Sequence, residues 1–364
     1  MAELSPINFT RGVPADESYP LDELLESARA ALASHGAAAL RYGPSTGFAP
    51  LREWIAGWQG AAADQVLIAN GSLQVIEFIC LALLRPGDLV LTESPTYDRA
   101  ITLLRRHGMR VAGIPLTADG PDVDALERLL ARERPALFYA IPDFQNPSGV
   151  TCSAAKRRRL AELADRHGFL LLEDAPYRLL RYRGQDEPTL RSLNPERTLH
   201  MSSFTKLLAP GVRMGFVVGD PRLVAKIAKV AEDTYISPGY LSEAITFEWC
   251  RRGLLDPQLA RLRALYAPRL EACLAAVDRH LAGAQTTRPD GGFFLSLTLP
   301  EGTATRAVRE RAQQFQLNLA DGEAFFPDGG GERFLRLPYC ALTPAEIDEG
   351  VRRLAQVVAD VTRR

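Results

Sequence analysis

Between positions 50 and 219 the chain alternates two hydrophobic patterns. Stretches with apolar residues every three or four positions predict helices, and short unbroken apolar runs predict strands buried on both faces. The helical pattern covers 51–59, 73–84, 123–132 and 154–167. The strand-like runs cover 66–69, 89–92, 110–115, 137–141, 169–174, 198–203 and 215–219. Turn formers such as Asn70-Gly71 and Pro86-Gly87-Asp88 separate them. Strands alternating with helices predict an α/β fold with a mostly parallel, doubly wound sheet. Polar residues follow the strand ends, where open α/β sheets bind ligands.

Beyond about Pro221 the pattern changes. A long helix is expected over 260–280, kinked at Pro268, and a strand half exposed to water over 292–299. A further strand is expected over 334–337, and an amphipathic helix over 344–361 behind the cap residue Thr343. These elements predict a smaller α+β domain. A length of 364 residues also exceeds one small core. The expected division is an N-terminal segment 1–45 that contributes to the small domain, a large domain 46–255 and a small C-terminal domain 256–364.

Composition narrows the functional classes. With 46% hydrophobic and 24% charged residues the chain reads as globular, and its net charge of -1 offers no field for nucleic acid or an anionic membrane. The 5 cysteines are odd in number and carry no pairing motif, so reduced, mostly buried thiols of a cytoplasmic protein are expected. The histidines are dispersed and predict no zinc site. No signal-peptide pattern opens the chain, and the longest apolar stretch, 75–84, contains Glu77 and is too short to span a bilayer.

Lys206 stands apart from the other lysines. Lys156, Lys226 and Lys229 lie in Arg-rich or amphipathic stretches that read as solvated helix faces. The run Lys156-Arg157-Arg158-Arg159 reads most simply the same way. Lys206 instead lies between Ser202-Ser203-Phe204-Thr205 and Leu207-Leu208-Ala209-Pro210-Gly211. An amine in an apolar, hydroxyl-lined site loses its proton readily, attacks a carbonyl and forms a Schiff base. Taken alone, the segment fits a surface lysine on a loop better.

The strand-end residues supply the context. Asn70-Gly71-Ser72 precedes a helix, whose free N–H groups and a hydroxyl make an anion site to which Ser203 and Arg213 can add. Asp174 ends a strongly apolar strand and needs a cationic partner there. Tyr97 offers an aromatic face, and Asn146 and Tyr177 offer hydrogen bonds to a phenolate oxygen. Together they describe a pocket for a phosphorylated, protonated pyridine bearing an aldehyde, which is pyridoxal 5′-phosphate. Arg336, flanked by Phe334, Leu335, Leu337 and Pro338, needs an anion of its own.

The ordered motifs carry a resemblance. They are Tyr42-Gly43-Pro44-Ser45-Thr46-Gly47, Asn70-Gly71-Ser72-Leu73-Gln74, Ser94-Pro95-Thr96-Tyr97, Pro142-Asp143-Phe144-Gln145-Asn146-Pro147, Glu173-Asp174-Ala175-Pro176-Tyr177, Ser203 through Arg213, and Leu335-Arg336-Leu337. Nearly the whole chain resembles a fold-type I, pyridoxal-phosphate-dependent aminotransferase of class I/II. It is most similar to the branch with 2-aminoadipate and kynurenine aminotransferases and the MocR regulators.

The resemblance implies roles. Lys206 would form the Schiff base and serve as base for the 1,3-proton shift. Asp174 would keep the pyridine nitrogen protonated, Asn146 and Tyr177 would bind the ring oxygen, and Tyr97 would stack on the ring. Ser72, the amides of Leu73 and Gln74, Ser203 and Arg213 would hold the phosphate. Arg336 would clamp the substrate carboxylate. Tyr42 would reach the phosphate in a neighbouring subunit, which implies a homodimer, and Ser237 is a further candidate for that contact.

The chain departs from the family pattern at three places. Leu73 stands where relatives often carry Gln, Arg11 precedes Gly12-Val13-Pro14 where they often carry Gly-Gly, and Ala175-Pro176 follows Asp174. Arg11 then either selects an acidic side chain at the substrate entrance or points to solvent. The activity implied is ping-pong transfer of an amino group from an L-amino acid to a 2-oxo acid such as 2-oxoglutarate. The same residues serve a lyase, decarboxylase or oxidase. A MocR-like effector domain would follow a DNA-binding domain, whereas this chain begins almost at the fold.

Overall fold

The computed structural model describes residues 5–363. The chain opens with β1 (Ile7–Phe9), α1 (Leu21–His35) and α2 (Ala49–Trp58). There follow β2 (Val66–Ala69), α3 (Ser72–Leu83), β3 (Leu89–Ser94), α4 (Asp98–Arg106), β4 (Arg110–Thr117) and β5 (Gly120–Pro121). Next come α5 (Val123–Leu130), β6 (Leu137–Ala140), α6 (Ala154–His167), β7 (Leu170–Asp174), α7 (Leu190–Leu193), β8 (Thr198–Ser203) and β9 (Gly215–Val218). Helices α8 (Pro221–Tyr235), α9 (Tyr240–Arg251) and α10 (Leu255–His280) follow in succession. The chain closes with β10 (Gln285–Thr286), β11 (Phe294–Thr298), α11 (Thr305–Ala312), β12 (Leu317–Leu319), β13 (Phe334–Pro338) and α12 (Pro344–Thr362).

The central 8-stranded sheet has the order β2-β9-β8-β7-β6-β3-β4-β5. Strands β4, β3, β6, β7 and β8 are parallel, as the alternating pattern predicts. The direction reverses at β9, which is antiparallel to both β8 and β2. No crossover helix lies between β8 and β9, and a short connection without one returns the chain antiparallel. Leu67, Val90, Leu172 and Val217 pack with α3, α4 and α8. On the other face, Leu91, Phe138 and Leu171 pack with α5 and α6, and Ile68 and Phe216 with α2 and α9. Cover on both faces explains the unbroken apolar runs.

A second core joins the sheet β10-β11-β13 and the parallel pair β1-β12 to α10 and α12. Ile7 pairs with Leu317, so the N-terminal strand belongs to this core. Helix α10 runs through Pro268 as one element. The expected half-exposed strand at 292–299 is corrected. Phe294, Leu295, Ser296 and Leu297 are all buried, because one face of β11 meets the second core and the other walls a cavity.

The charge run at 156–159 also departs from a uniformly solvated face. Arg157 is fully buried, and its guanidinium donates to Asp143 Oδ1 at 2.8 Å and to the carbonyls of Pro142 and Cys152. Arg178 reaches the same carboxylate at 3.2 Å. This cluster pins the loop that carries Asn146.

Candidate active site

A cavity of about 540 Å³ opens at the ends of β3, β6, β7 and β8. Among the residues singled out from the sequence, Arg11, Ser72, Leu73, Tyr97, Asn146, Asp174, Tyr177, Ser203, Lys206, Arg213 and Arg336 line it. Two do not. The Gln74 side chain accepts from the Asn70 amide at 2.9 Å, and its own amide donates to the Gly71 carbonyl at 3.2 Å. Tyr42 is 77% exposed, away from the cavity of its own chain. Ser237 does not line the cavity either.

At one end, α3 starts directly after Gly71 without a side-chain cap. The amides of Ser72 and Leu73 bond to no other described group, so they are free donors aided by the helix dipole. Arg213 folds over Gly71, its Nη2 donating to the Asn70 carbonyl at 3.2 Å. Gly71 has φ +98°, and a Cβ there would meet Arg213 Nη2 at 2.5 Å. A Cβ on Gly215 would meet the Ser72 nitrogen at 2.3 Å. Two glycines thus let strand, helix start and guanidinium converge. The Ser203 hydroxyl also lies here, donating to the Met214 carbonyl at 2.8 Å.

Asp174 closes the floor. Oδ2 accepts from the Tyr139 hydroxyl at 2.7 Å, and Oδ1 is buried with no partner. Burial raises the carboxyl to about 7, against the opposing effects of Tyr139, His200 and Lys206. A carboxylate with one free buried oxygen calls for a cationic N–H donor. Tyr97 and Tyr177 flank the space, and burial raises Tyr97 to about 12. Asn146 Oδ1 accepts from Arg336 Nη1 at 2.8 Å, which leaves its amide nitrogen without a described partner.

Lys206 Nζ donates to the Gly12 carbonyl at 2.9 Å. Burial lowers its pKa, Arg336 and Arg213 lower it further, and Cys340 and Asp174 oppose them. Arg336 lies between the rings of Phe294 and Phe325, at 4.8 and 4.7 Å from their centroids. Its Nε is buried without a partner.

Several lining residues escape sequence reasoning. Thr205 adjoins Lys206, and Asp98 and Arg99 lie at the start of α4. Phe294 comes from the start of β11, and Phe325 from the turn between β12 and β13. Tyr139 is hidden inside an apolar strand run, where a tyrosine reads as core.

The site tests well against one cofactor. Free helix-start amides and Arg213 suit a phosphate, Asp174 Oδ1 suits a protonated ring nitrogen, and Lys206 suits an aldehyde. The family described as aminotransferase class I and II matches residues 5–354, and the chain belongs to it. It is a pyridoxal-phosphate-dependent aminotransferase. Its relatives include the 2-aminoadipate transaminase of Thermus thermophilus, 36% identical over 97% of this chain and 90% of that protein. The alpha-aminoadipate aminotransferase of Thermus thermophilus, solved with N-(5′-phosphopyridoxyl)-L-leucine, superposes with TM-score 0.93 at 35% identity, covering 98% of this chain and 92% of that one. The multiple substrate aminotransferase of Thermococcus profundus gives TM-score 0.96 at 33% identity, covering 100% and 93%.

Proposed function

We propose that this aminotransferase takes an L-amino acid as donor and a dicarboxylic 2-oxo acid such as 2-oxoglutarate as acceptor, in a ping-pong cycle within one cavity. The observation that carries the reading is the meeting of Lys206, Asp174 and Arg336 in that single cavity. Bound pyridoxal phosphate supplies an electrophilic aldehyde and a ring that withdraws electrons when a Cα proton leaves.

The chain supplies the rest. Ser72, the amide of Leu73, Ser203 and Arg213 hold the phosphate. Asp174 Oδ1 takes the ring nitrogen's proton as a hydrogen bond and balances its charge. Asn146 and Tyr177 donate to the ring oxygen, and Tyr97 covers the ring face. Arg336 clamps the substrate α-carboxylate with its planar fork. Lys206 Nζ, shifted toward the free amine by burial, would take the Cα proton and deliver it to the cofactor carbon that had carried the aldehyde. Arg11 lines the mouth, is exposed and forms no ion pair with any described residue. That freedom supports a role in meeting the second carboxylate of an acidic substrate. That the Thermus thermophilus relative is a 2-aminoadipate transaminase supports the same class.

We also read the chain as a homodimer. Leu21, Leu25, Leu40 and Tyr42, all within the first 42 residues, are 70, 52, 67 and 77% exposed, which supports an apolar contact face there. A Tyr42 that leaves its own cavity is free to serve a neighbour's. The division into 46–255 and 256–364 draws support from the core of the large sheet and the core of the α10/α12 layer, with Leu259, Leu262 and Tyr266 in the first half of α10 packed against the large domain. All 5 cysteines are free and buried, which supports a reducing, cytoplasmic setting. Among the described residues no helix is long and apolar enough to cross a membrane.

The test is spectroscopic. Purified protein with pyridoxal phosphate should show a visible band that is absent in Lys206→Ala. Particular amino acids should bleach it without an acceptor, and 2-oxoglutarate should restore it. Release of ammonia, carbon dioxide or peroxide in place of that reversible exchange would overturn transamination.

A further inference from the structure

Tyr139 belongs to β6, and its ring packs in the core beneath α3 and α4. Its hydroxyl has a different destination. The β6–β7 register sets Tyr139 beside Leu172, two positions before Asp174, and the phenol reaches Asp174 Oδ2 at 2.7 Å. Both side chains are buried, and Asp174 receives no other side-chain hydrogen bond from a described residue. Burial and the nearby Asp174 charge hold the phenol well above its ordinary pKa, so Tyr139 acts as a donor. His200 is no substitute, because its ring is engaged with Glu173 at 2.9 Å. One oxygen of Asp174 is therefore committed, and the other, Oδ1, is left without a partner in a residue that lines the cavity.

We propose that Tyr139 is a positioning residue for the cofactor: its hydroxyl fixes the Asp174 carboxylate so that Oδ1 faces the ring nitrogen of pyridoxal phosphate, and it sustains the charge that keeps that nitrogen protonated. The inference rests on the cofactor role given to Asp174 above. It adds a contact that acts through Asp174 and touches neither substrate nor cofactor.

Tyr139→Phe keeps the ring and removes only the donor. Cofactor-free wild type and variant are titrated with pyridoxal phosphate, and also with an analogue carrying C–H in place of the ring nitrogen. Tyr139→Phe should bind pyridoxal phosphate about tenfold more weakly, the scale of one charge-assisted hydrogen bond. Its kcat should fall by a similar factor, with KM for the amino acid little changed. The analogue, which has no ring nitrogen to address, should bind both proteins equally.

Equal loss of affinity for the analogue would mean packing damage and overturn the proposal, as would unchanged pyridoxal phosphate binding and kcat. Wild type that forms no visible band would instead overturn the cofactor reading of this cavity, on which the inference rests. Should Tyr139→Phe fail to fold, Tyr139→Met, apolar and more adaptable in shape, is read on the same scales.

Discussion

Arg336 illustrates how one side chain is prepared for an anion. Two aromatic rings hold its guanidinium in a plane, while Asn146 and the Thr10 carbonyl take Nη1 and Nη2 at 2.8 and 2.6 Å. Burial makes the charge costly and lowers its pKa from the ordinary value, a penalty that an incoming carboxylate relieves. Lysine cannot reproduce the planar fork or the stacking. Arg336→Lys should therefore raise KM for every amino and 2-oxo acid, whatever its side chain, by roughly ten- to a hundredfold, the range for a hydrogen-bonded charge. Arg11→Ala should behave differently. It should raise KM for dicarboxylic substrates about tenfold, for one exposed charge contact at a cavity mouth, and leave monocarboxylic ones nearly unchanged. Steady-state kinetics with 2-oxoglutarate against pyruvate separates the two. Equal effects of Arg11→Ala on both acceptors would remove Arg11 from substrate recognition.

Among the elements, the loop between β6 and α6 shows why a site residue stays where it is. Asn146 follows Asp143, whose carboxylate is buried between Arg157 of α6 and Arg178. Replacing one partner of a buried pair leaves a charge that water cannot reach, a loss of about 3–5 kcal/mol when no other partner remains. Arg178 remains here, so Arg157→Met should cost less than that, about 2–3 kcal/mol. It should also weaken cofactor binding through Asn146. Urea denaturation measures the first effect and cofactor titration the second. A variant as stable as wild type would show that the cluster is dispensable.

This cluster also marks the limit of local pattern. Apolar runs made β2, β3, β6 and β7 legible, because two-sided burial leaves few polar positions. The ordered strand-end motifs likewise exposed Lys206, Asp174 and Arg336. Arg157 was illegible because its partner lies on a loop 14 positions earlier. Helix α9 was blurred because Glu243 and Glu248 are buried within it and break the apolar stripe. Tyr139 was masked for the converse reason, as a polar tip on a residue whose body belongs to the core.

Across the whole molecule, the buried carboxyls tie stability to pH. Burial raises Asp174 from 3.8 to about 7, Glu93 from 4.5 to about 8 and Glu243 from 4.5 to about 7. Between their ordinary and raised values, the folded chain holds protons that the unfolded chain has released. Their contribution is thus complete below the ordinary carboxylate range and is lost as pH rises through about 7 to 8. Lys206 acts with the opposite sign. Its pKa is lowered, so its share of stability grows as pH rises toward the ordinary value of 10.5. Asp143 and Glu173, held low by Arg157 and His200 against the penalty of burial, are already ionised in this window and do not change across it. The cofactor-free protein should therefore melt at a lower temperature near pH 8 than near pH 5.5. Asp174→Asn should flatten part of that slope. Pyridoxal phosphate should flatten it as well, because a protonated ring nitrogen beside Oδ1 removes the penalty on the Asp174 charge. Calorimetry of both forms across this range is the measurement. A cofactor-free melting temperature that stays level or climbs would contradict the assignment of protonated, buried carboxyls. A slope that the cofactor leaves untouched would instead separate Asp174 from the ring nitrogen.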